Sequence, residues 1–137
     1  MHLELKPLTQ CRVLVVDDEE ISRITLQSLL AEHYLVETLD DGNQVIQYCE
    51  HRKPDLILMD VNMPGVCGLE VCNVLKSRED LADIPVVFVT ANFDLDAQNA
   101  CWEAGANDFI GKPVAASTLI HRTRNHLENK VRLDQLI

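Results

Sequence analysis

The sequence predicts an α/β fold: a doubly wound, five-stranded parallel sheet built from five successive βα units. Two observations carry that expectation. Three short apolar runs, Val13-Leu14-Val15-Val16, Leu56-Ile57-Leu58-Met59 and Val86-Val87-Phe88-Val89, are continuous rather than alternating, as strands read when helices cover both faces of a sheet. Amphipathic stretches separate them with connections of a few residues, the pattern of right-handed βαβ crossovers.

Taken in order, the first strand is Val13 to Val16, and Ile21, Ile24, Leu26 and Leu29 mark the apolar face of a helix running to about Glu32. Tyr34 to Thr38 is a weaker strand candidate. Asp40-Asp41-Gly42-Asn43 offers N-cap chemistry for a second helix carrying Val45, Ile46 and Cys49, since short polar side chains satisfy the first free amides of a helix. Pro54 and Pro85 each precede a strand, where a missing N–H costs little. Leu69, Val71, Cys72 and Leu75 mark the third helix, and Leu95 to Ala104 the fourth, which stops at Gly105. Asp108 to Gly111 is the other weaker strand candidate, and the fifth helix begins near Val114 and meets no breaker before the end of the sequence.

Composition narrows the function classes. The 137 residues suit one domain with one core, and 47% are apolar, too many for a disordered chain. No apolar run approaches the roughly 20 residues of a membrane span, and Met1 to Lys6 lacks the layout of a secretory signal, so no membrane association and a cytoplasmic location are expected. A net charge of −10 argues against direct nucleic-acid binding, which needs clustered Lys and Arg. Cys11, Cys49, Cys67, Cys72 and Cys101 form no CxxC pair and read as small buried hydrophobes in a reducing compartment.

Open doubly wound sheets bind ligands at the carboxyl ends of their strands. Those ends carry Asp17-Asp18, Asp60, Thr90-Ala91 and Lys112-Pro113. Three carboxylates on one edge raise one another's pKa unless something neutralises them, and Mg²⁺ with its preference for oxygen ligands does so, helped by Lys112. No GxxxxGK[ST] or GxGxxG occurs, so the site suits a carboxylate nucleophile attacking phosphorus rather than a backbone phosphate cradle.

The stretches Val15-Val16-Asp17-Asp18-Glu19, Met59-Asp60-Val61-Asn62-Met63-Pro64-Gly65, Val89-Thr90-Ala91 and Phe109-Ile110-Gly111-Lys112-Pro113 together resemble the receiver domain of two-component response regulators. Singly each is weak; in order, each at its own strand end, they are specific. The resemblance implies a flavodoxin-like fold over residues 10–126, with 1–9 as an N-terminal tail and 127–137 as a helical extension toward an output domain. It implies a phosphoacceptor module, not an enzyme with an external substrate. Asp60 would take the phosphoryl group from a sensor histidine kinase or phosphotransfer protein. Asp18, Asp60 and the carbonyl of Asn62 would ligate Mg²⁺, and Asp17 would act mainly through a water on the metal. Thr90 and Lys112 would contact phosphoryl oxygens, and Phe109 would be the switch aromatic, without the hydroxyl of the Tyr found in many members. Pro113 marks a candidate cis peptide. Asn62 and Asn92 would tune the lifetime of the phosphoryl group, as two neutral amides that give neither a strong base nor a large block.

Arg124 to Leu136 is similar to the helical linkers that join receivers to domains synthesising or degrading cyclic dinucleotides, and many members dimerise through the fourth helix, fifth strand and fifth helix, where Trp102 sits. Two alternatives remain. A haloacid-dehalogenase-type phosphatase shares the Asp nucleophile, Mg²⁺ and Lys, but needs an acid where Asn62 stands. A degenerate receiver would work without taking phosphate, against the full set of Asp17, Asp18, Asp60, Thr90 and Lys112.

Overall fold

A computed structural model describes residues 5–136; residues 1–4 of the expected tail and residue 137 at the end of the expected extension lie outside the described residues. Five parallel strands, β1 (Arg12–Val16), β2 (Leu35–Leu39), β3 (Leu56–Met59), β4 (Val86–Thr90) and β5 (Asp108–Gly111), lie in the order β2-β1-β3-β4-β5. Five helices follow them in turn: α1 (Glu20–Leu30), α2 (Val45–His51), α3 (Gly68–Ser77), α4 (Leu95–Glu103) and α5 (Ala116–Gln135). The doubly wound α/β sheet expected from the apolar runs is therefore the fold of the chain.

Burial explains why the runs are continuous. Leu14, Val16, Ile57, Met59, Val86 and Phe88 point to one face, against Val45 and Cys49 of α2, Cys72 and Leu75 of α3 and Cys101 of α4. The alternate residues Val13, Val15, Leu56, Leu58, Val87 and Val89 point to the other, against Leu26 and Leu30 of α1 and Leu119, Leu127 and Val131 of α5. The side-chain period is still two, but both half-sets are covered. Cys11, Cys49, Cys72 and Cys101 are buried as free thiols and Cys67 is half-buried.

Local chemistry sets the helix ends. The Asp41 carboxylate accepts from the Asn43 amide and opens a 3-10 turn, Gly42–Gln44, that leads into α2. Asp94 caps α4 by accepting from the Ala97 amide, and α4 stops before Gly105, whose φ is 92°. Two features depart from the sequence pattern. Ile21 and Ile24, expected on the buried face of α1, are 82% and 50% exposed. The first turn of α1 overhangs the carboxyl edge of the sheet, where Ile21 faces Lys112, Pro113 and Val114 across a groove, and only Leu26, Leu29 and Leu30 reach the core. The loop after β3 also folds into a two-stranded ribbon, Asn62–Met63 paired with Val66–Cys67, turning at Gly65.

Helix α5 runs unbroken past residue 126, and Leu127 and Val131 are 0% and 4% exposed. Lys130 is also buried and bridges Asp134 at 2.6 Å and Asp83 at 3.3 Å, so the packed body includes the first turn of the expected extension. Among the described residues, no helix is long and apolar enough to cross a membrane.

One lysine invisible to motif reading ties three segments together. Lys76 of α3 donates to the carbonyls of Ile84 at 2.6 Å and Ala82 at 3.2 Å, and to the Asn107 side chain at 3.1 Å, which also accepts from the Val86 amide. Burial pushes the Lys76 ammonium below its ordinary pKa. Lys76→Met is expected to lower stability by about 1.5 kcal/mol in denaturant unfolding, because carbonyls that lose a charged donor stay unsatisfied. A variant as stable as the original chain would show that water replaces the ammonium without loss.

Candidate functional site

The sheet order reverses at β1, which has β2 on one side and β3 on the other, so a crevice opens beyond the carboxyl ends of β1 and β3. The ladder fixes what faces it. Val16 pairs with Met59, placing Asp17 and Asp60 on adjacent strand ends, and Thr90 pairs with Gly111, placing Lys112 one residue beyond. The backbone carries on the same register: the Asp60 amide donates to the Val16 carbonyl and the Lys112 amide to the Thr90 carbonyl. Asp17, Asp60 and Thr90 are 1%, 7% and 3% exposed.

Each of these side chains is held by an amide two residues further on. Asp17 Oδ1 accepts from Glu19 N at 2.9 Å, Asp60 Oδ1 from Asn62 N at 3.3 Å, and Thr90 Oγ1 from Asn92 N at 3.3 Å. Such local turns suit Asp and Thr, whose oxygens reach their own backbone. The second carboxylate oxygens stay free for the centre of the site, where Lys112 Nζ lies 2.9 Å from Asp17 Oδ2, 3.1 Å from Asp60 Oδ2 and 3.4 Å from Glu19 Oε1.

Electrostatics follow from that crowding. Burial raises the Asp60 carboxyl above its ordinary pKa; Lys112 opposes the shift and Asp17 adds to it. Burial alone would lower the Lys112 pKa, but hydrogen bonds and charge from Asp17 and Asp60 outweigh it and hold the ammonium well above the usual lysine value. Lysine is therefore the counter-ion of two buried carboxylates, and one cation for two anions leaves the site net negative.

Oxygens of Asp17, Glu19 and Asp60 lie within 4.8 Å of one another. An all-oxygen, anionic donor set of that size fits a hard divalent cation, which prefers carboxylates, carbonyls and water. Glu19, to which the sequence reading gave no role, belongs to this group; its only signal was its place directly after Asp17-Asp18. Asp18 lies outside the three-oxygen group, half-buried, lining an open cleft of about 550 Å³ with Asn62 and Glu70. Asn62, Thr90 and Asn92 line a smaller cavity of about 200 Å³. The Lys112–Pro113 peptide is cis.

Gly68 lets the loop close on Asp60. A Cβ there would lie 2.3 Å from the Asp60 carbonyl oxygen, so only glycine permits α3 to start so near the strand end. Phe109 is half-buried, one strand away from Thr90, and its ring packs edge-on against Phe93 and Trp102 with centroids 5.3 and 4.9 Å away.

The response regulator receiver domain family model matches residues 13–124. The chain belongs to the response regulator receiver family. This receiver is 39% identical over 126 residues to response regulator PleD of Caulobacter vibrioides, covering 91% of the chain and 28% of the relative. It is 32% identical over 136 residues to a "Probable cyclic di-GMP phosphodiesterase" of Vibrio cholerae, covering 99% of the chain and 31% of the relative. The chain thus spans about a third of the length of these relatives. Among solved structures, the receiver is similar to that of a signal transduction histidine kinase from Syntrophus aciditrophicus, with a TM-score of 0.81, 32% identity and coverage of 87% and 91% of the two chains. Against the chemotaxis response regulator CheY4 of Vibrio cholerae the TM-score is 0.80, with 26% identity and coverage of 86% and 99%.

Proposed function

We propose that this receiver takes a phosphoryl group on Asp60 from a phosphohistidine donor, a sensor histidine kinase or phosphotransfer protein, in a Mg²⁺-dependent reaction. The observation that carries the reading is the Lys112 ammonium shared between Asp17 and Asp60 at 2.9 and 3.1 Å. A carboxylate oxygen of Asp60 forms the bond to phosphorus while the phosphorus–nitrogen bond of the donor breaks, and the nitrogen leaves carrying a proton. Lys112 stands ready to pair with a phosphoryl oxygen, and the Thr90 hydroxyl to donate to another. When bound, Mg²⁺ would supply positive charge to neutralise the transferring oxygens. Asp18, Asp60 and the Asn62 carbonyl are the residues assigned to hold it, with Asp17 acting through a water; the position of Glu19 adds a further carboxylate to the set. The domain acts on itself and turns over no external substrate.

Incubation with phosphoramidate and Mg²⁺ followed by intact-protein mass spectrometry tests this. The chain should gain one phosphoryl group, dependent on Mg²⁺, and Asp60→Asn should gain none. Equal labelling of both proteins would refute the assignment. The amide side chains of Asn62 and Asn92 support an intermediate phosphoryl lifetime, because neither activates nor excludes an attacking water strongly. A decay lasting seconds, or days, would contradict that.

The wider setting follows the relatives. The length of PleD and of the cyclic di-GMP relative beyond the matched region supports an output domain that makes or degrades a cyclic dinucleotide, attached through α5, in a cytoplasmic regulator. Exposed Phe93, Leu95 and Trp102 lie on or beside α4, next to β5 and α5, and support homodimerisation through that face.

A further inference from the structure

Phe93 stands three residues after Thr90 in the β4–α4 loop and is 41% exposed. Its ring nevertheless has a defined seat. It lies over Gly111, where a Cβ would come within 2.4 Å of the ring, and it meets Phe109 edge-on. Trp102 of α4 touches Phe109 as well. Phe109 is thus held between two other rings, one of them on the loop that carries the Thr90 hydroxyl. A groove of about 370 Å³ bordered by Phe93, Trp102, Phe109 and Gly111 leaves these rings room to move.

We propose that Phe93 is a positioning residue that locks Phe109 in its present place and couples it to Thr90, so that phosphorylation of Asp60 releases Phe109 by drawing Phe93 off Gly111. The inference rests on the phosphoacceptor reading. At present Thr90 Oγ1 accepts from the Asn92 amide. To donate to an oxygen of a phosphoryl group on Asp60, the hydroxyl must turn toward the acceptor, and the short Ala91–Phe93 segment must follow. Two anchors resist that movement: the Asn92 side chain accepts from the Asp94 amide, and the Gln98 side chain donates to the Phe93 carbonyl at 2.8 Å. The Phe93 ring therefore leaves its seat only when Thr90 is pulled. Once it has moved, Phe109 loses one of its two edge contacts, and the environment of Trp102 changes with it.

Trp102 is the single tryptophan of the chain, so its emission reads this cluster without labelling. The experiment compares the unaltered chain, Phe93→Ala, Phe93→Tyr and Gly111→Ala, before and after phosphoramidate with Mg²⁺, following Trp102 emission and the labelling rate together. In the unaltered chain emission should change on labelling. Phe93→Ala, which deletes the ring, and Gly111→Ala, whose Cβ evicts it, should each show most of that change beforehand. They should also label about three- to ten-fold faster, the range expected for loss of one aromatic edge contact. Phe93→Tyr, which keeps the ring, should behave as the unaltered chain does. If Asp60 is labelled but Phe93→Ala and Gly111→Ala match the unaltered chain in both readouts, the coupling is refuted. Absence of any label on Asp60 of the unaltered chain would instead overturn the phosphoacceptor reading, and the coupling with it.

Discussion

Lys112→Met is expected to lower the stability of the chain by about 3 kcal/mol at neutral pH without metal, the order seen when one partner of a buried ion pair is removed. The side chain is 15% exposed and its partners Asp17 and Asp60 are 1% and 9% exposed at their side chains. Methionine preserves most of the stem volume, so the loss reports charge rather than packing. The sign follows from linkage. Because the pKa of Lys112 is raised in the folded chain, its contribution is fully present below the ordinary lysine value and lost only as pH rises through the higher folded value. At pH 7 the whole contribution is at stake. It should shrink in acid, where Asp60, whose carboxyl pKa is raised, protonates and needs no counter-ion. The same variant should label with phosphoramidate about 100-fold more slowly, since a preorganised donor to a developing oxyanion is commonly worth that much. Chemical denaturation at pH 7 and pH 4 checks the first part. A variant equally stable at both pH values, and no less stable than the original chain, would mean the ammonium is not what holds these carboxylates together.

The complementary expectation concerns excess negative charge. Asp60 carries a raised pKa from burial, only partly offset by Lys112. A carboxyl whose folded pKa is raised contributes its full stability below the ordinary carboxylate value, near pH 4, and loses it as pH rises through the folded value. Asp60→Asn should therefore melt higher than the original chain at pH 7, with the difference vanishing once pH falls below about 4. Mg²⁺ should act in the same direction on the original chain. At a concentration 100 times its Kd, binding to the folded state alone adds about 2.7 kcal/mol, a rise of several degrees in Tm for a domain of this size. Asp60→Asn should gain much less from Mg²⁺, having lost a ligand. A Tm indifferent to millimolar Mg²⁺ would contradict the proposed metal set.

How much of this could be read beforehand depends on the range of the interaction. The strands were legible because Val13–Val16, Leu56–Met59 and Val86–Val89 are buried on both sides, and burial on both sides writes itself into consecutive residues. The polar residues that end those strands were legible for the same reason: Asp60 interrupts an apolar run where nothing local calls for a charge. Features that depend on one segment meeting another were not. Glu19 joins the carboxylate group only because α1 starts where it does, and nothing in the sequence separates it from Asp18. Lys76 looks like a surface lysine until the Ala82 and Ile84 carbonyls are placed around it. Phe93 has no partner in its own segment, since its seat is Gly111 on β5. Periodicity misjudged Ile21 and Ile24, because a regular apolar spacing says which side of a helix is greasy but not where along its length the sheet ends. The apolar spacing of Leu127, Val131 and Leu136 likewise marks one side of α5 without showing that Leu127 and Val131, with Lys130, are drawn into the packed body while Leu136 stays exposed.

The central claim is that, of the buried carboxylates at this sheet edge, Asp60 alone receives phosphorus. Trapping the acyl phosphate settles it most directly: the chain is labelled with phosphoramidate and Mg²⁺, reduced with borohydride, digested, and the peptides are sequenced by mass spectrometry. Homoserine is expected at position 60, with Asp17, Asp18 and Glu19 recovered unchanged. Homoserine at 17 or 18, or full recovery of Asp60 after stoichiometric labelling, would contradict it.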